Sequence, residues 1–258
     1  MNGLRSAIGF LTILPIAPRC TAEDLAAART WFPLIGLLLG AILAGADLLM
    51  NGPFPLLLAS AFLTITLALM TRALHLDGFM DTCDALLGGF ERERRLEILR
   101  DPHVGAFAVV GVISLLLIKF AAIAALPQMN RTAILMLFPC LSRWGMLLVM
   151  ELFPYVRSEG LGTMFLGARG KWPLIGGLGI TLSAAIVLAG IPGVVLFAIA
   201  SFFAWAVGSW AARLLGGLTG DIYGAVNEVS EAAVLVFAAV LYQGPSIAFL
   251  SSLRGLLE

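Results

Sequence analysis

Long apolar stretches alternate with polar segments along this chain, and the alternation predicts helices that span a membrane. A spanning helix needs about 20 mostly apolar residues. Seven windows meet that requirement, at 32–50, 54–74, 104–126, 131–153, 172–191, 194–213 and 232–250. A further stretch, residues 4–17, predicts a short interfacial or re-entrant helix that is broken near Pro15. The expected fold is all-α: a polytopic membrane helix bundle of about seven transmembrane helices with cytoplasm-facing polar linkers.

The linkers between these windows differ in length and in charge. Three of them are tight turns, at 51–53, 127–130 and 192–193. Three are long and polar, at 75–103, 154–171 and 214–231. Most arginines lie in or beside the long linkers, and positive charge near span ends favours the cytoplasmic side. We therefore expect the long linkers to face the cytoplasm; if residues 4–17 also span, the count becomes eight and the N-terminus changes side.

The composition agrees with a lipid environment. Of the 258 residues, 60% are hydrophobic and 12% are charged, whereas soluble domains carry roughly 25% charged residues. The net charge is zero, so no basic field indicates nucleic acid as a partner. The three cysteines are far apart and lack the spacing of a disulfide framework or a zinc site. We expect one integral-membrane domain over residues 1–258, with the lipid bilayer as its solvent.

The polar chemistry is concentrated in the linker 75–103, which holds both histidines and seven of the sixteen acidic residues. Asp77, Asp81 and Asp84 are spaced by four and then three residues, which places them on one face of a helix. Like charges on one stripe repel, and a divalent cation bound by carboxylate oxygens relieves the repulsion. The spacing predicts a Mg²⁺ site; the alternative is a solvated polar face at the start of a helix.

A second charged cluster follows at 91–101, where acidic and basic residues alternate. This pattern is typical of a surface helix with weak ion pairs. Glu97 and Asp101 are again four residues apart and would form a second acidic edge. His75 and His103, at the two ends of the linker, are candidates for proton transfer. The guanidinium groups of the cluster suit phosphate oxygens, and the candidates are Arg94, Arg95 and Arg100.

Two further places carry unusual polarity. Arg143 lies near the middle of a predicted span, where a charge is costly and normally faces the bundle interior. It is either part of a structural ion pair or an anion contact at the base of a cytoplasmic pocket. In the glycine-rich linker 214–231, Asp221, Glu228 and Glu231 fall on about one helical face. The predicted phosphate or substrate contacts are Arg95, Arg100, Arg143, Asp221, Asn227 and Glu228.

Acidic helical stripes, arginines and a cytoplasmic mouth together predict metal-assisted phosphoryl-type transfer at a membrane. The residue types do not identify the substrate. One alternative is a CDP-alcohol phosphotransferase acting on a lipid, although Asp-Gly comes here at the first aspartate and no Ala-Arg follows at the expected offset. The other alternative is a transporter, which would place its acidic residues within the spans, whereas most of them lie here in predicted linkers.

Six stretches resemble, in order, the motifs of one enzyme family. The longest is HLDGFMDTCDALLGGFERERRLEILRDPHVGAFAVVGV at 75–112. The others are FLTILPI at 10–16, WFPLIG at 31–36, SRWGMLL at 142–148, FPYVRSEGLG at 153–162 and GGLTGDIYGAVNEVSE at 216–231. They closely resemble the cobalamin synthase family, the adenosylcobinamide-GDP ribazoletransferases. The motifs are long and mixed in composition, so the resemblance is specific.

The resemblance implies a Mg²⁺-dependent phosphotransferase of the bacterial inner membrane that acts late in cobalamin synthesis. Such enzymes join adenosylcobinamide-GDP to α-ribazole or its 5'-phosphate, and they release GMP. Other enzymes that assemble the nucleotide loop are implied partners, and an oligomer is compatible with the sequence. The matching motif positions are His75, Asp77, Asp81, Asp84, Arg95, Glu97, Asp101, Gly105, Arg143, Asp221 and Glu228. Cys83 departs from the small residue, such as alanine, that is expected there.

Specific roles follow as hypotheses from the residue chemistry. An arginine (Arg95, Arg100 or Arg143) would stabilise the departing GMP phosphate, and a carboxylate or His75 would accept the proton of the ribazole hydroxyl. The predicted catalytic residues are His75, Asp77, Asp81 and Asp84. The predicted Mg²⁺ ligands are Asp77, Asp81, Asp84, Glu97 and Asp101.

Overall fold

The computed structural model describes residues 2–16, 21–157 and 171–243. Within these ranges the regular secondary structure is helical, and the only β-structure is two isolated bridges. The helices in chain order are α1 (Asn2–Leu11), α2 (Ala22–Ala28), α3 (Phe32–Met50), α4 (Leu56–Met70), α5 (Leu74–Gly88), α6 (Arg92–Ile98), α7 (Ala106–Ala125), α8 (Gln128–Leu152), α9 (Lys171–Leu215) and α10 (Gly220–Gln243). The predicted all-α class is confirmed, and α1 is the short helix predicted within residues 4–17.

Five helices of the described chain are long and apolar enough to cross a membrane. They are the continuous stretch Asp24–Met50, which ends with α3, and the helices α7, α8, α9 and α10. Helix α4 has only 15 residues and meets α5 at an angle of 90°, so this bent pair gives at most a sixth span. The predicted membrane bundle is therefore confirmed, whereas the predicted number of seven spans is not.

Two predicted spans, 172–191 and 194–213, lie in the single 45-residue helix α9. The helix is interrupted at Gly190, whose φ of 61° and ψ of −137° are not helical. Glycine tolerates this positive φ, and Pro192, two residues later, lacks the N–H that a continuous helix needs. The interruption divides α9 into two arms, 171–189 and 191–215, which correspond to the two predicted windows.

The prediction of a polar linker at 214–231 is wrong for most of its length. Only residues 216–219 separate α9 from α10, and Gly216 permits the sharp reversal with a φ of 83°. The polar residues Asn227, Glu228, Ser230 and Glu231 of α10 are helical and buried, and the two glutamates pair with charges from other helices. Local sequence does not report such distant partners. The predicted span 232–250 is the second half of α10, and its last residues lie outside the described ranges.

The linker predicted at 75–103 contains the helices α5 and α6. Between α4 and α5 the chain turns through 90° at Arg72 and Ala73, which both have a φ of 54°. Left-handed backbone at residues other than glycine costs on the order of 1–3 kcal/mol each, so the packing of α5 must hold this corner in place. Most of the linker predicted at 154–171 lies outside the described residues.

Helix α8 occupies the centre of the bundle and packs against α3, α9 and α10. The contact with α3 is close because two glycines face it: a Cβ at Gly36 would lie 2.2 Å from the carbonyl oxygen of Pro139, and one at Gly40 would lie 2.3 Å from that of Met136. Small residues at such positions let membrane helices approach backbone to backbone. Residues of α8 also line the site described next.

Candidate active site

Helix α5 is held directly against the start of α10 by two glycines. A Cβ at Gly78 would lie 2.8 Å from the carbonyl oxygen of Asp221, and a Cβ at Gly224 would lie 2.9 Å from that of His75. At each glycine the absence of a side chain lets the backbone of the other helix come close. This contact brings the acidic stripe of α5, which contains Asp77, beside Asp221, although the two residues lie far apart in the sequence.

We expect Gly78→Ala to damage activity strongly, because the added methyl group collides with the α10 backbone, which cannot move aside like a flexible side chain. Overpacking of this kind costs about 1–3 kcal/mol, and a displacement near 1 Å at a reacting site costs roughly 100-fold in rate. Steady-state kcat/KM measures the loss. Gly45→Ala is the matched control, since nothing lies within 4 Å of its added Cβ; equal activity of both variants would contradict the close contact.

A cavity of about 180 Å³ opens at this junction. Its polar side is formed by His75, Asp77, Arg157 and Asp221, and the backbones of Gly78, Gly220 and Gly224 also line it. The other described side chains of the lining are apolar or aromatic and include residues of α1 and α8. Of the residues predicted from sequence to act in catalysis or binding, the structure therefore places His75, Asp77 and Asp221 in one cavity wall.

Asp221 is paired with Arg157, an arginine that was not among the predicted site residues. An Nη2 atom of Arg157 lies 2.7 Å from Oδ2 of Asp221, and it also donates to the carbonyl oxygen of Leu99 at 2.7 Å. Thr219 donates its hydroxyl to the same carboxylate at 3.2 Å. The guanidinium of Arg157 is thus fixed at the cavity, and its buried Nε has no hydrogen-bond partner among the described residues.

Asp81 lies one helical turn beyond Asp77 on α5. Burial raises the pKa of Asp81 to about 6, and the neighbouring carboxylates of Asp221 and Asp77 add to the rise. A carboxyl group in this position is harder to ionise than usual, first because it is partly removed from water and also because several negative charges are crowded together. The site therefore has an excess of negative charge that a bound cation would relieve.

Asp84, the third acidic residue of the predicted stripe, caps the next helix. Its Oδ2 accepts a hydrogen bond from the backbone N–H of Gly105 at 2.7 Å, and its Oδ1 accepts one from Ala108 at 2.9 Å. These N–H groups belong to the first turn of α7, where no intrahelical acceptor exists. A Cβ at Gly105 would lie 2.6 Å from the carboxylate. Asp84 therefore stabilises the N-terminus of α7. Its predicted catalytic and metal-binding roles stay predictions.

We expect Asp84→Ala to lower stability by about 0.5–2 kcal/mol, the usual range for loss of an N-cap side chain. Because both oxygens are already engaged with α7, we expect Mg²⁺ affinity to change little. Thermal unfolding in detergent and titration with Mg²⁺ measure the two effects separately. A variant of unchanged stability that no longer binds Mg²⁺ would instead establish Asp84 as a metal ligand.

The charged residues of α6 and the segment after it are largely exposed and paired locally. Arg94 lies 3.0 Å from Glu97, and Nδ1 of His103 lies 2.5 Å from Asp101. Hydrogen bonds from His103 lower the pKa of Asp101. Arg100 is exposed as well. These residues are not in the described lining of the cavity, so the structure does not bring Glu97 and Asp101 together with the acidic residues of α5.

Arg95 differs from its neighbours on α6 because it is partly buried. Its aliphatic chain packs on the turn after α5, where a Cβ at Gly89 would lie 2.7 Å from Cγ of Arg95. Its Nε atom is buried and has no hydrogen-bond partner in the described ranges. Its predicted phosphate contact stays a prediction, and the unsatisfied N–H is the structural feature that agrees with it.

Four buried charges form a neutral cluster behind the cavity. Lys119 of α7 is bonded to Glu228 and, at 2.5 Å, to Glu231, and Arg143 of α8 is bonded to Glu231. Asn227 donates to Glu231 at 3.2 Å. All of these side chains are buried. Ionised groups at membrane depth require such partners, and the cluster ties α7, α8 and α10 together.

The cluster determines where three predicted substrate contacts lie. Arg143, Asn227 and Glu228 are buried within it and are not in the described lining of the cavity. For Arg143 the contacts agree with the structural ion pair, one of the two interpretations of its position in the sequence. The predicted contacts of these residues with substrate stay predictions.

His75 lies between the buried cluster and the cavity. Only 2% of its surface is exposed, and neither ring nitrogen has a hydrogen-bond partner among the described residues. Burial lowers the pKa of His75 to about 3, and the charge of Arg143 lowers it further. The imidazole is therefore neutral at physiological pH, with one N–H donor and one nitrogen acceptor, and it is suited to orienting a hydroxyl group.

Within the described ranges, no three carboxylate, histidine or cysteine side chains are grouped closely enough to hold a metal ion by themselves. A site with several protein ligands, such as those that bind Ca²⁺ or Zn²⁺, is therefore not preformed in this part of the chain. The carboxylates of Asp77 and Asp81 nevertheless offer hard oxygen ligands of the kind that Mg²⁺ prefers.

Several residues of the site were not predicted from the sequence. Arg157, Tyr155 and Tyr223 line the cavity, and Lys119 balances the buried carboxylates. Arg157 and Tyr155 do lie in the motif at 153–162, and Tyr223 lies in the motif at 216–231. Lys119 could have been found from the sequence because it lies inside a predicted apolar span, and a charge at that depth needs a partner.

The fold and the site define a polytopic helical membrane protein with a cavity lined by carboxylates and a guanidinium. A family model described as Cobalamin-5-phosphate synthase matches residues 3–239. The chain belongs to this family, and the late step of cobalamin synthesis that the sequence predicts is confirmed at the level of the family.

Curated relatives agree with this assignment. Proteins named adenosylcobinamide-GDP ribazoletransferase from Geotalea daltonii and Pseudomonas paraeruginosa are 38% and 40% identical to the chain. The first alignment covers 89% of this chain and 94% of the relative, and the second covers 93% and 98%. A relative of the same name from Desulforamulus reducens is 35% identical over 91% of the chain and 94% of its own length. No solved structure matches the chain.

Proposed function

We propose that the protein transfers the cobinamide phosphate of adenosylcobinamide-GDP to α-ribazole or to α-ribazole 5'-phosphate. The new bond joins a ribose hydroxyl oxygen of the acceptor to the phosphorus that carries cobinamide. The bond that breaks joins this phosphorus to the phosphate of GMP, which leaves with the electron pair. The observation that carries the proposal is a cavity with carboxylates, a guanidinium and a neutral imidazole, in a chain whose relatives are named for this reaction.

The cavity residues suggest how the reacting groups are held. The fork of Arg157 suits the oxygens of the departing GMP phosphate, and its Nε–H, which has no partner among the described residues, offers an additional donor. The hydroxyl proton goes to the carboxylate of Asp221. An imidazole with a pKa of about 3 is too weak a base for this step. His75 instead orients the attacking hydroxyl through a hydrogen bond.

We also propose that Mg²⁺ is the cofactor and that Asp77 and Asp81 hold it. Mg²⁺ usually keeps several waters and binds one or two carboxylates together with substrate phosphate oxygens. Two carboxylates one helical turn apart fit that requirement, and the carboxylates of Asp77 and Asp221, which contribute after burial to the raised pKa of Asp81, add to the negative charge of the site. When bound, the ion neutralises the charge that develops on the phosphates.

We place the protein in the bacterial inner membrane with the cavity facing the cytoplasm. The support is the distribution of arginine, since the cavity side carries Arg157 and the exposed arginines of α6. Positive residues next to spans favour the cytoplasmic side. Both nucleotide substrates are cytoplasmic in this proposal.

The test is conversion by the purified protein in detergent or nanodiscs. Adenosylcobinamide-GDP, α-ribazole and Mg²⁺ should give a cobalamin product, identified by mass, with one GMP released for each product molecule. Removal of divalent cations with EDTA should abolish turnover, and added Mg²⁺ should restore it. Absence of product with both acceptors would refute the proposal. Reaction with a CDP-activated lipid, or flux into proteoliposomes without chemical conversion, would favour the phosphotransferase or transporter alternative.

We expect Mg²⁺ affinity to fall as the pH drops below about 6, because the proton on Asp81 then competes with the ion. With one proton displaced, the apparent affinity should decrease by about tenfold per pH unit in that range. It should level off above neutral pH, where the carboxylate is already ionised. Calorimetric titration with Mg²⁺ between pH 5 and pH 8 measures this dependence, and a flat profile would exclude Asp81 as a ligand.

A further inference from the structure

The cavity beside Asp77 and Asp221 has an apolar side that the transfer chemistry does not use. Helix α8 contributes Met146 and Met150 to it, one helical turn apart on the same face. Both methionines are only 2% exposed, so this side is a fixed part of the bundle. The remaining apolar lining comes from Phe10, Leu74, Tyr155 and Tyr223.

The shape of this apolar side suits a flat ring. The rings of Tyr155 and Tyr223 are stacked, with centroids 6.0 Å apart and planes inclined by 27°. Aromatic faces bind other flat rings well, and thioether sulfur makes favourable contacts with ring edges. Two methionines and a stacked pair of tyrosines therefore form a surface that matches an aromatic ligand.

The size of the cavity restricts what can enter it. At about 180 Å³ it is smaller than the roughly 300–1,000 Å³ of pockets that enclose drug-sized ligands. A corrin macrocycle cannot fit, whereas a fused bicyclic ring can. The candidates among the proposed substrates are consequently the two purines of the donor, adenine and guanine, and the base of the acceptor nucleoside.

The polarity of the lining distinguishes the purines from the acceptor base. Guanine and adenine carry several hydrogen-bonding groups, and burying such a group without a partner is unfavourable. Among the described lining residues that the transfer chemistry does not use, the two tyrosine hydroxyls are the only polar side-chain groups, because the carboxylates, the imidazole and the guanidinium are assigned to the reacting groups. The benzimidazole base of α-ribazole has an apolar edge that needs no such partners, and it fits this lining better.

We infer that Met146, Met150, Tyr155 and Tyr223 form the binding pocket for the aromatic base of the acceptor nucleoside. This inference rests on the proposed function, and it adds which substrate occupies the cavity and which residues select its base. With the base on the apolar side, the attached ribose extends towards Asp77 and His75. The pocket thus favours acceptors with apolar bicyclic bases over those with polar ones.

The test compares KM values for the two substrates in Met150→Ala. Loss of the thioether contact should raise KM for α-ribazole roughly tenfold. The KM for adenosylcobinamide-GDP should change by less than about twofold. The enlarged pocket should also accept bulkier benzimidazole nucleosides relatively better. Met129→Ala is the matched control, because Met129 begins the same helix and is 91% exposed. A general loss of stability would not change the two KM values selectively.

Other results would overturn the inference. A rise in the donor KM alone would assign the cavity to a purine of the donor. Unchanged KM values and unchanged base selectivity would show that the cavity holds none of these rings. If Met150→Ala does not fold, Met150→Leu conserves volume and should still alter the preference between methylated and unmethylated benzimidazole nucleosides, and an unaltered preference would count against the pocket.

A measurement on the unmodified protein separates this inference from the proposed function. Without donor, α-ribazole should raise the thermal midpoint of wild-type protein, and free dimethylbenzimidazole, but not GMP, should compete with it. Binding without turnover would preserve the pocket while refuting the transfer reaction. Turnover combined with competition by GMP alone would support the transfer reaction and refute the pocket for the acceptor base.

Discussion

Lys119→Met is expected to destabilise the protein by about 3–5 kcal/mol, the usual consequence of removing one partner from a buried ion pair. The substitution leaves the buried carboxylates of Glu228 and Glu231 with Arg143 as their only cationic partner among the described residues. For a chain of this size the midpoint of thermal unfolding should fall by roughly 10 °C. Differential scanning fluorimetry of the protein in one detergent measures the change.

Two further variants test the reason for this loss. Lys171→Met removes the other lysine of the chain, which is exposed, and it should leave the midpoint unchanged. Lys119→Met combined with Glu228→Gln removes one charge of each sign and keeps the pair between Arg143 and Glu231, so it should recover at least half of the lost stability. A single variant as stable as wild type would mean that the cluster is not balanced by Lys119.

Asp81→Asn should reduce kcat by about a thousandfold, because a metal ion at a phosphoryl site supplies several kcal/mol of stabilisation. The amide retains the shape of the side chain and removes the charge that a Mg²⁺ ligand needs. The exposed Glu93, one helix further along, gives the control Glu93→Gln, which should retain full turnover. The assay is GMP release from adenosylcobinamide-GDP with α-ribazole at saturating Mg²⁺.

The same substitution should not reduce stability. The folded protein raises the pKa of Asp81 to about 6, so between about pH 4 and pH 6 it binds more protons than the unfolded chain. Ionisation of Asp81 above that range therefore opposes folding, and the neutral amide removes this penalty. Wild-type turnover in Asp81→Asn would reject the assignment of Asp81, whereas lost turnover with an equal or higher midpoint would identify a functional carboxylate.

The acidic stripe of α5 shows how far local spacing can predict a site. The intervals between Asp77, Asp81 and Asp84 correctly placed the three residues on one helix, because helical periodicity is a local property. The spacing did not show which of the three residues caps a helix and which faces the cavity. Only the packing of α7 against α5 gives Asp84 two backbone N–H groups to cap, while the close contact at Gly78 places Asp77 beside Asp221.

The polar start of α10 shows the opposite limit. Its glycines and charged residues are typical of a linker, and local sequence favours that interpretation. The segment is a buried helix because Lys119, 109 residues away from Glu228, neutralises it, and because α5 packs on its glycines. A contact across such a separation leaves no periodic signal in either segment.

The sequence by itself determined the membrane class, most of the spans, the acidic helix and the family, since hydrophobic length, helical spacing and long motifs are all properties of contiguous residues. The tertiary structure decided which charges face the cavity and which neutralise one another in the interior. It paired Arg157 with Asp221 and Arg143 with Glu231, and it enclosed an apolar pocket beside the carboxylates. Burial and distance between helices decide these roles, and both arise only when the bundle packs.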